Sequence, residues 1–250
     1  WTSSDDRMIE NAIRRGATRR ELLQMMLMGG VAVAAGSTIL GRATSAYAAT
    51  PVKGGFIKAA GFSASTADTL DPAKASNATD YVRCCAFYNR LTFLNGQGET
   101  EMELAESVES SDAKVWTVKL RKGVTFHDGK SLTADDVVFS INRHLDPAVG
   151  SKVNAIAKQI TGVKKVDDTT VEITLQDANA DLPTILALHH FMIVADGTTD
   201  FSKGNGTGPF VCKEFQPGVR SMAARNENYW KNNGPHLDSF EFFAISDESA

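Results

Sequence analysis

The sequence predicts an α/β fold with mixed sheets. Apolar and polar residues alternate along 116–120 and again along 171–175, which is the period of half-buried strands. Between these segments, the apolar residues of 137–145 recur at the three- and four-residue spacing of one helix face. Strand and helix segments follow one another without a strict βαβ repeat, so we expect sheets that mix parallel and antiparallel pairs.

The first predicted element is a strand from Lys53 to Ala60, which runs into a loop from Gly61 to Thr69 that is rich in Gly, Ser and Thr. A helix is predicted over Asn77 to Leu91. Its apolar face comprises Tyr81, Val82, Cys85, Tyr88 and Leu91. The adjacent residues Cys84 and Cys85 are expected to pack there as small hydrophobic side chains.

Later elements follow the same logic. A helix is expected to begin at Thr133, which can accept a hydrogen bond from the first turn, with Asp135–Asp136 at the positive end of the helix dipole. Pro183 suits the first turn of a short helix over 182–188. The end of the chain predicts three strands, at Phe210 to Phe215, Arg220 to Ala224 and Ser239 to Phe243.

Composition and charge narrow the class of protein. The chain has 250 residues, of which 42% are hydrophobic and 22% charged, enough for one sizeable core or two small ones. Its net charge of -4 offers no basic excess that would neutralise phosphates, so we expect no nucleic-acid binding. Cys84, Cys85 and Cys212 lack the spacing of a zinc module, whereas a single link from Cys84 or Cys85 to Cys212 stays open.

The first 48 residues have the three regions of an export signal. Thr18 to Gln24 contains the pair Arg19–Arg20, an apolar stretch follows from Met25 to Leu40, and Ala46 to Ala48 provides small residues for cleavage. The apolar stretch is shorter than the roughly 20 residues of a membrane span. The arginine pair resembles the twin-arginine export motif, with general secretion as the alternative. We expect cleavage after about Ala48 and a periplasmic mature protein, and the initial Trp1 indicates a fragment.

Two blocks of sequence then resemble, in order, the signature of one family. The first block runs from Trp116 to Gly129 and continues from Leu132 to Ser140. The second block comprises Gly206 to Phe210, Pro217–Gly218, Arg225–Asn226, Tyr229–Trp230 and Pro235 to Asp238, and an early Leu70–Asp71–Pro72 agrees with both. On these motifs, which cover nearly all of the chain after Ala48, it resembles the extracellular solute-binding proteins of peptide- and nickel-type ABC importers, family 5.

The resemblance implies a periplasmic-binding-protein-like fold of type II, in which two α/β lobes close on a ligand about a hinge. It implies that 49–91 and 193–250 form the core of the first lobe, that 92–192 form an inserted subdomain, and that the second lobe is absent. It further implies a monomer, without catalysis, metal or cofactor, that hands di- and oligopeptides to the permease subunits of an ABC importer. Nickel chelate, opine and oligosaccharide stay open as ligands.

Ligand contacts are expected in loops at strand ends that face the crevice between the lobes. Backbone amides and hydroxyls in such loops can bind a peptide main chain without selecting its side chains. The candidate ligand-binding residues are Ser63, Ser65 and Thr66 after the first strand, Asp80 and Tyr81 at the helix start, and Gly206, Thr207, Gly208 and Pro209 in the second block.

Three further patterns have a catalytic or metal interpretation and a simpler one. His127–Asp128 could be the acid–base pair of a secreted hydrolase, but a turn in which Asp128 caps its own backbone and Gly129 is left-handed is simpler. The pair His189–His190 predicts no metal site, because adjacent side chains point apart on a helix or strand. A solvated acidic face is expected for Glu99, Glu101, Glu103 and Glu106.

Overall fold

A computed structural model describes residues 52–245 of the chain, and the predicted export signal at 1–48 lies outside them. The strands are β1 Phe56–Gly61, β2 Thr92–Leu94, β3 Thr100–Met102, β4 Ala105–Glu109, β5 Val115–Leu120, β6 Ile160–Asp167, β7 Thr170–Leu175, β8 Phe210–Gln216, β9 Arg220–Arg225 and β10 Ser239–Ala244. The helices are α1 Ala78–Phe87, α2 Ala134–Asn142, α3 Asn154–Ala157 and α4 Leu182–Ile185, and a 3-10 turn spans His189–Phe191. No helix in this range is long and apolar enough to cross a membrane.

The first sheet has the strand order β1-β10-β9-β8. Its strands β1 and β10 are parallel, with Phe56 opposite Ser239 and Gly61 opposite Ala244. The pairs β10–β9 and β9–β8 are antiparallel. The predicted mixed sheet is therefore confirmed, and β8, β9 and β10 each begin at the residue predicted from the sequence.

The second sheet has the antiparallel order β4-β5-β7-β6, and β2 pairs with β3 in a separate hairpin. Along β5, Trp116, Val118 and Leu120 are buried while the residues between them are exposed, as the alternating pattern predicts. The strands of this sheet and of the hairpin all come from 92–175, whereas the first sheet uses only strands outside that range. The division into a lobe core and an inserted subdomain at 92–192 stays a prediction.

Helix α2 covers the second sheet with the face that the sequence predicts. Val137 and Ile141 are buried in the same core cluster as the inward side chains of β5 and β7, and Val138 packs against it. The helix begins as predicted after Thr133, which forms a reciprocal capping box with Asp136. The Asp136 carboxylate accepts from the backbone N–H of Thr133 at 2.7 Å and from its hydroxyl at 3.1 Å.

Helix α1 differs from its prediction in length and in the face that it buries. It ends at Phe87 rather than Leu91, because Tyr88 is extended with φ -124° and ψ 163°. Its buried face is made of Thr79, Asp80, Arg83, Cys84 and Phe87. The predicted face is wrong for Val82 and Cys85, which are exposed, because the helix buries a charged arginine in their place. Cys84 is buried as predicted, and all three cysteines are free thiols.

Candidate functional site

One edge of the first sheet gathers the loops that topology predicts to be functional. The parallel strands β1 and β10 end side by side, where the N–H of Ile245 donates to the carbonyl of Gly61 at 2.9 Å. The β8–β9 turn reaches the same edge, because the N–H of Ala244 donates to the carbonyl of Val219 at 2.8 Å. We call loop 62–69 together with turn 217–219 the site edge. In α/β folds, ligands bind in crevices outside the carboxyl ends of strands.

The exposed side chains of the site edge are hydroxyls and apolar groups. Ser63, Ser65 and Thr66, all predicted to contact ligand, are exposed here. Beside them the sequence analysis missed Phe62, which is 68% exposed, and Val219, which is 53% exposed. Neither 62–67 nor 217–219 contains a charged residue. The site edge can therefore offer hydrogen bonds and apolar contact, but no exposed charge of its own.

Beneath the loop lies a buried ion pair. Arg83 Nη1 is 2.7 Å from Asp68 Oδ2, and both side chains are fully inaccessible to solvent. Burial acts to raise the pKa of Asp68, but hydrogen bonds from Arg83 and from the N–H of Ser65 outweigh it and lower that pKa below its ordinary value. Asp68 is thus a carboxylate, and it holds the loop from below.

Asp80 and Tyr81 lie at the start of α1 and behave differently from the loop hydroxyls. Asp80 is 1% exposed, and its carboxylate accepts from the N–H of Thr69 at 3.0 Å and of Ser76 at 3.2 Å. Burial raises its pKa, which these two hydrogen bonds oppose. The Tyr81 ring lies 5.2 Å from the ring of His189. Asp80 therefore holds the backbone at the end of the loop through buried hydrogen bonds. Ligand contact by Asp80 or Tyr81 stays a prediction.

The second group of predicted residues lies at the other end of α1. The N–H of Gly208 donates to the carbonyl of Phe87 at 2.9 Å, and a β-carbon on Gly208 would stand 2.6 Å from the Ala86 carbonyl oxygen. Thr207 is fully buried, and Gly206 is buried beside it. Ten helical residues span about 15 Å. The structure therefore does not bring 206–209, including Pro209, together with the site edge.

His127 belongs to this second group and not to an acid–base pair. Its ring nitrogens lie 3.0 Å from the carbonyl oxygen of Gly208 and 3.3 Å from that of Gly204. Burial lowers its pKa, so the ring is neutral near pH 7. Asp128 accepts from the N–H of Lys130 at 2.9 Å, and Gly129 has φ 90°. The predicted turn is confirmed.

The adjacent histidines serve the fold. His190 Nε2 lies 3.0 Å from the carbonyl oxygen of Ala75, and His189 packs on Tyr81. Across residues 52–245, no group of three or more His, Cys, Asp and Glu side chains is arranged to hold a metal ion.

Glu103 corrects the expected acidic face. It is 6% exposed, and its carboxylate accepts from the Asn89 amide at 2.9 Å, the Arg90 N–H at 2.8 Å and the Lys231 ammonium at 3.1 Å. The Asn89 carbonyl in turn accepts from the Thr207 hydroxyl and the Trp230 indole, each at 3.1 Å. Glu103 and Asn89 thus join the second group to the chain after β9.

A polar cavity of about 200 Å³ opens at the opposite edge of the first sheet, lined by Lys53 and by residues from Arg225 to Pro235. Its principal cations are already paired, Arg225 with Asp238 and Glu227, and Lys231 with Glu103. It contains none of the predicted ligand residues. We therefore take the site edge, and not this cavity, as the candidate site.

Comparison with known proteins gives consistent matches. Residues 99–250 match the model for bacterial extracellular solute-binding proteins, family 5 Middle. Heme-binding protein A of Haemophilus influenzae is 35% identical over 190 residues, which cover 64% of this chain and 35% of that protein. AgaA of A. tumefaciens R10, solved with agropinic acid, has a TM-score of 0.71 and 29% identity, covering 78% of this chain and 40% of AgaA. AppA of Bacillus subtilis, solved with a nonapeptide, has a TM-score of 0.68 and 26% identity, covering 78% and 41%.

These likenesses confirm the predicted periplasmic-binding-protein-like α/β fold. The chain spans between 35% and 41% of the length of these three relatives. The ligands of these three relatives are chemically diverse, namely heme, agropinic acid and a nonapeptide.

Proposed function

The chain belongs to the bacterial extracellular solute-binding proteins of family 5, and on this premise we propose that it captures peptides in the periplasm for an ABC importer. Members of this family bind solutes for ABC permeases and are not enzymes. The observation that carries the proposal is the site edge, whose exposed groups are hydroxyls, backbone and apolar side chains without charge. Such groups suit a peptide main chain of varied sequence.

The sheet topology supports the assignment of a first lobe and an inserted subdomain within the chain. Residues 49–91 and 193–250 form the first lobe in this proposal, because the strands of the first sheet lie within these two segments. Residues 92–192 form the inserted subdomain, which holds the second sheet. A second lobe, which relatives of about twice this length have room for, closes over the site edge and supplies the charged partners of the ligand. Closure then shifts the population toward the form that the permease recognises.

An opine is the second candidate ligand. AgaA, bound to agropinic acid, matches this chain with 29% identity, compared with 26% for the peptide-bound AppA. An opine joins an amino acid to another small molecule, so an uncharged hydroxyl surface on one lobe suits it as well.

A ligand panel tests the function on the full-length mature protein. We expect a tripeptide such as Ala-Ala-Ala to raise the melting temperature, because a ligand that binds only the folded state adds about 2.7 kcal/mol at 100 times its Kd. Agropinic acid and heme are the alternative arms. Mass spectrometry of the recovered peptide should show it intact. Stabilisation by agropinic acid alone would transfer the proposal to opines, and a cleaved peptide would contradict the binding function.

The site edge has its own test. Replacing both Ser63 and Thr66 by Ala removes two exposed hydroxyls, and we expect the Kd of the bound peptide to rise about tenfold, since each hydrogen bond contributes about 0.5–1.5 kcal/mol. Ser111→Ala, an exposed serine in the β4–β5 turn, is the matched control and should leave the Kd unchanged. Equal affinities for the double variant and the control would move the ligand site away from this edge.

A further inference from the structure

Asp68 is the point at which three separate segments meet. Its Oδ1 accepts from the N–H of Ser65 in the loop at 2.9 Å and from the amide of Asn77, the cap of α1, at 3.3 Å. Its Oδ2 accepts from Arg83 at 2.7 Å and from the N–H of Gly218 in the β8–β9 turn at 3.4 Å. One carboxylate therefore ties both halves of the site edge to the helix.

Arg83 is placed to keep that carboxylate charged and oriented. Its guanidinium lies 5.4 Å from the ring centres of both Phe215 and Phe242, and its Nε donates to the Ser221 hydroxyl at 3.3 Å. Such a pair is expensive to desolvate, and well-packed apolar residues of similar volume often stabilise a protein equally well. We therefore expect the ion pair to fix the arrangement of the loop, the turn and the helix more than it raises the free energy of unfolding.

The loop and the turn also touch directly. A β-carbon on Gly218 would lie 2.9 Å from the carbonyl carbon of Ser65, and Gly218 has φ 72°, which favours glycine. The backbone of the turn therefore approaches the loop as closely as a glycine permits. Moving either segment moves the exposed hydroxyls of Ser63 and Thr66 relative to Val219.

We propose that Asp68, held by Arg83, is a positioning residue for ligand binding that fixes the loop against the β8–β9 turn before ligand arrives. This inference rests on the proposed function, because it assumes that the site edge contacts ligand. A preformed site avoids the cost of ordering a loop at the moment of binding. The ion pair thereby sets affinity without touching the ligand.

Asp68→Asn in the full-length mature protein tests the proposal, because it keeps the shape of the side chain and removes its charge. Asp71→Asn is the matched control, since Asp71 pairs with Arg143 at 2.7 Å in a similarly buried position. The first measurement is amide hydrogen exchange without ligand. We expect Asp68→Asn to lower protection at Ser65 and Gly218 about tenfold while β5 is unchanged. Equal protection in Asp68→Asn and the control, or a uniform loss over the whole chain, would overturn the proposal.

The second measurement is the Kd for Ala-Ala-Ala, agropinic acid and heme. Asp68→Asn should raise the Kd of whichever probe the wild type binds about tenfold, and the control should leave it within about twofold. An unchanged Kd in Asp68→Asn defeats the positioning role while the proposed function stands. If the wild type binds none of the probes, those ligand classes fail, and the exchange measurement still decides whether Asp68 positions the loop.

Gly218→Ala disturbs the contact between the loop and the β8–β9 turn and leaves both residues of the Asp68–Arg83 ion pair unchanged. Like Asp68→Asn, it should lower the exchange protection at Ser65 and raise the Kd. The proposal can therefore be tested even if Asp68→Asn does not fold. Wild-type protection and affinity in Gly218→Ala would contradict a shared junction.

Discussion

Asn89 offers the sharpest test of how the second group of predicted residues is held. Asn89 is 4% exposed, and its side chain makes four hydrogen bonds, to Glu103, Tyr229, Thr207 and Trp230. Asn89→Ala removes all four. The Thr207 hydroxyl is fully buried and loses its partner, and the Trp230 indole N–H loses its own. Glu103 keeps the N–H of Arg90 and the ammonium of Lys231.

The magnitude follows from the two orphaned donors. Each costs about 1–2 kcal/mol when it is buried without a partner, so we expect Asn89→Ala to lower the free energy of unfolding by about 3 kcal/mol. With a urea slope of about 3 kcal/mol per molar, the unfolding midpoint should fall by about 1 M. The fluorescence of Trp116 in β5 and of Trp230, which contacts Asn89, reports the transition.

The control is Asn142→Ala, which truncates an exposed asparagine at the end of α2 and should change stability by less than about 0.5 kcal/mol. Thr207→Val sharpens the test, because it removes the hydroxyl that Asn89 satisfies. It should cost less in the Asn89→Ala background than in the wild type, by about 1 kcal/mol. A midpoint for Asn89→Ala equal to that of Asn142→Ala, or strict additivity with Thr207→Val, would show that Asn89 does not hold this cluster together.

The remaining predictions concern packing, pH and export. Gly208→Ala should destabilise by about 3 kcal/mol in the same urea assay, because its β-carbon meets the backbone of α1, whereas Gly96→Ala, with open space around it, should be neutral. Burial lowers the pKa of His144 to about 4. The unfolded chain therefore binds more protons below pH 6.5, stability falls by about 3 kcal/mol between pH 6.5 and pH 4, and His144→Gln should flatten that slope. Replacing Arg19 and Arg20 by Lys should abolish export if the twin-arginine route is used, and cell fractionation detects the retained precursor.

Sequence periodicity predicted those elements that have one buried face of apolar side chains. The strand at Trp116 and the helix after Thr133 are correct because each places its apolar residues on a core cluster. The strands β2 to β4 and β6 were not predicted. Thr92–Leu94 and Thr100–Met102 are three residues each, too short to show a period, and Ile160–Asp167 exposes most of its side chains.

Helix α1 shows why the same rule fails where charges are buried. Its apolar pattern pointed to Val82 and Cys85, but the core accepts Arg83 because Asp68 neutralises it and two phenylalanine rings flank it. The end of the helix at Phe87 could not be predicted from the neighbouring residues either. The carbonyl of Phe87, which a longer helix would use, instead accepts from Gly208 of a distant loop.

The site residues also divide into those that the local sequence places and those that depend on distant partners. Ser63, Ser65 and Thr66 could be placed at a strand end because topology alone puts that loop beside the β10 terminus and the β8–β9 turn. The residues that hold the loops could not be placed, because their role depends on partners elsewhere in the chain. Asp68 lies 15 residues from Arg83, and Glu103 lies 128 residues from Lys231. Nothing in the sequence near an acidic residue shows that the fold will bring a cation from elsewhere in the chain beside it. Position within the fold, and not residue type, therefore decides which carboxylates shape the site.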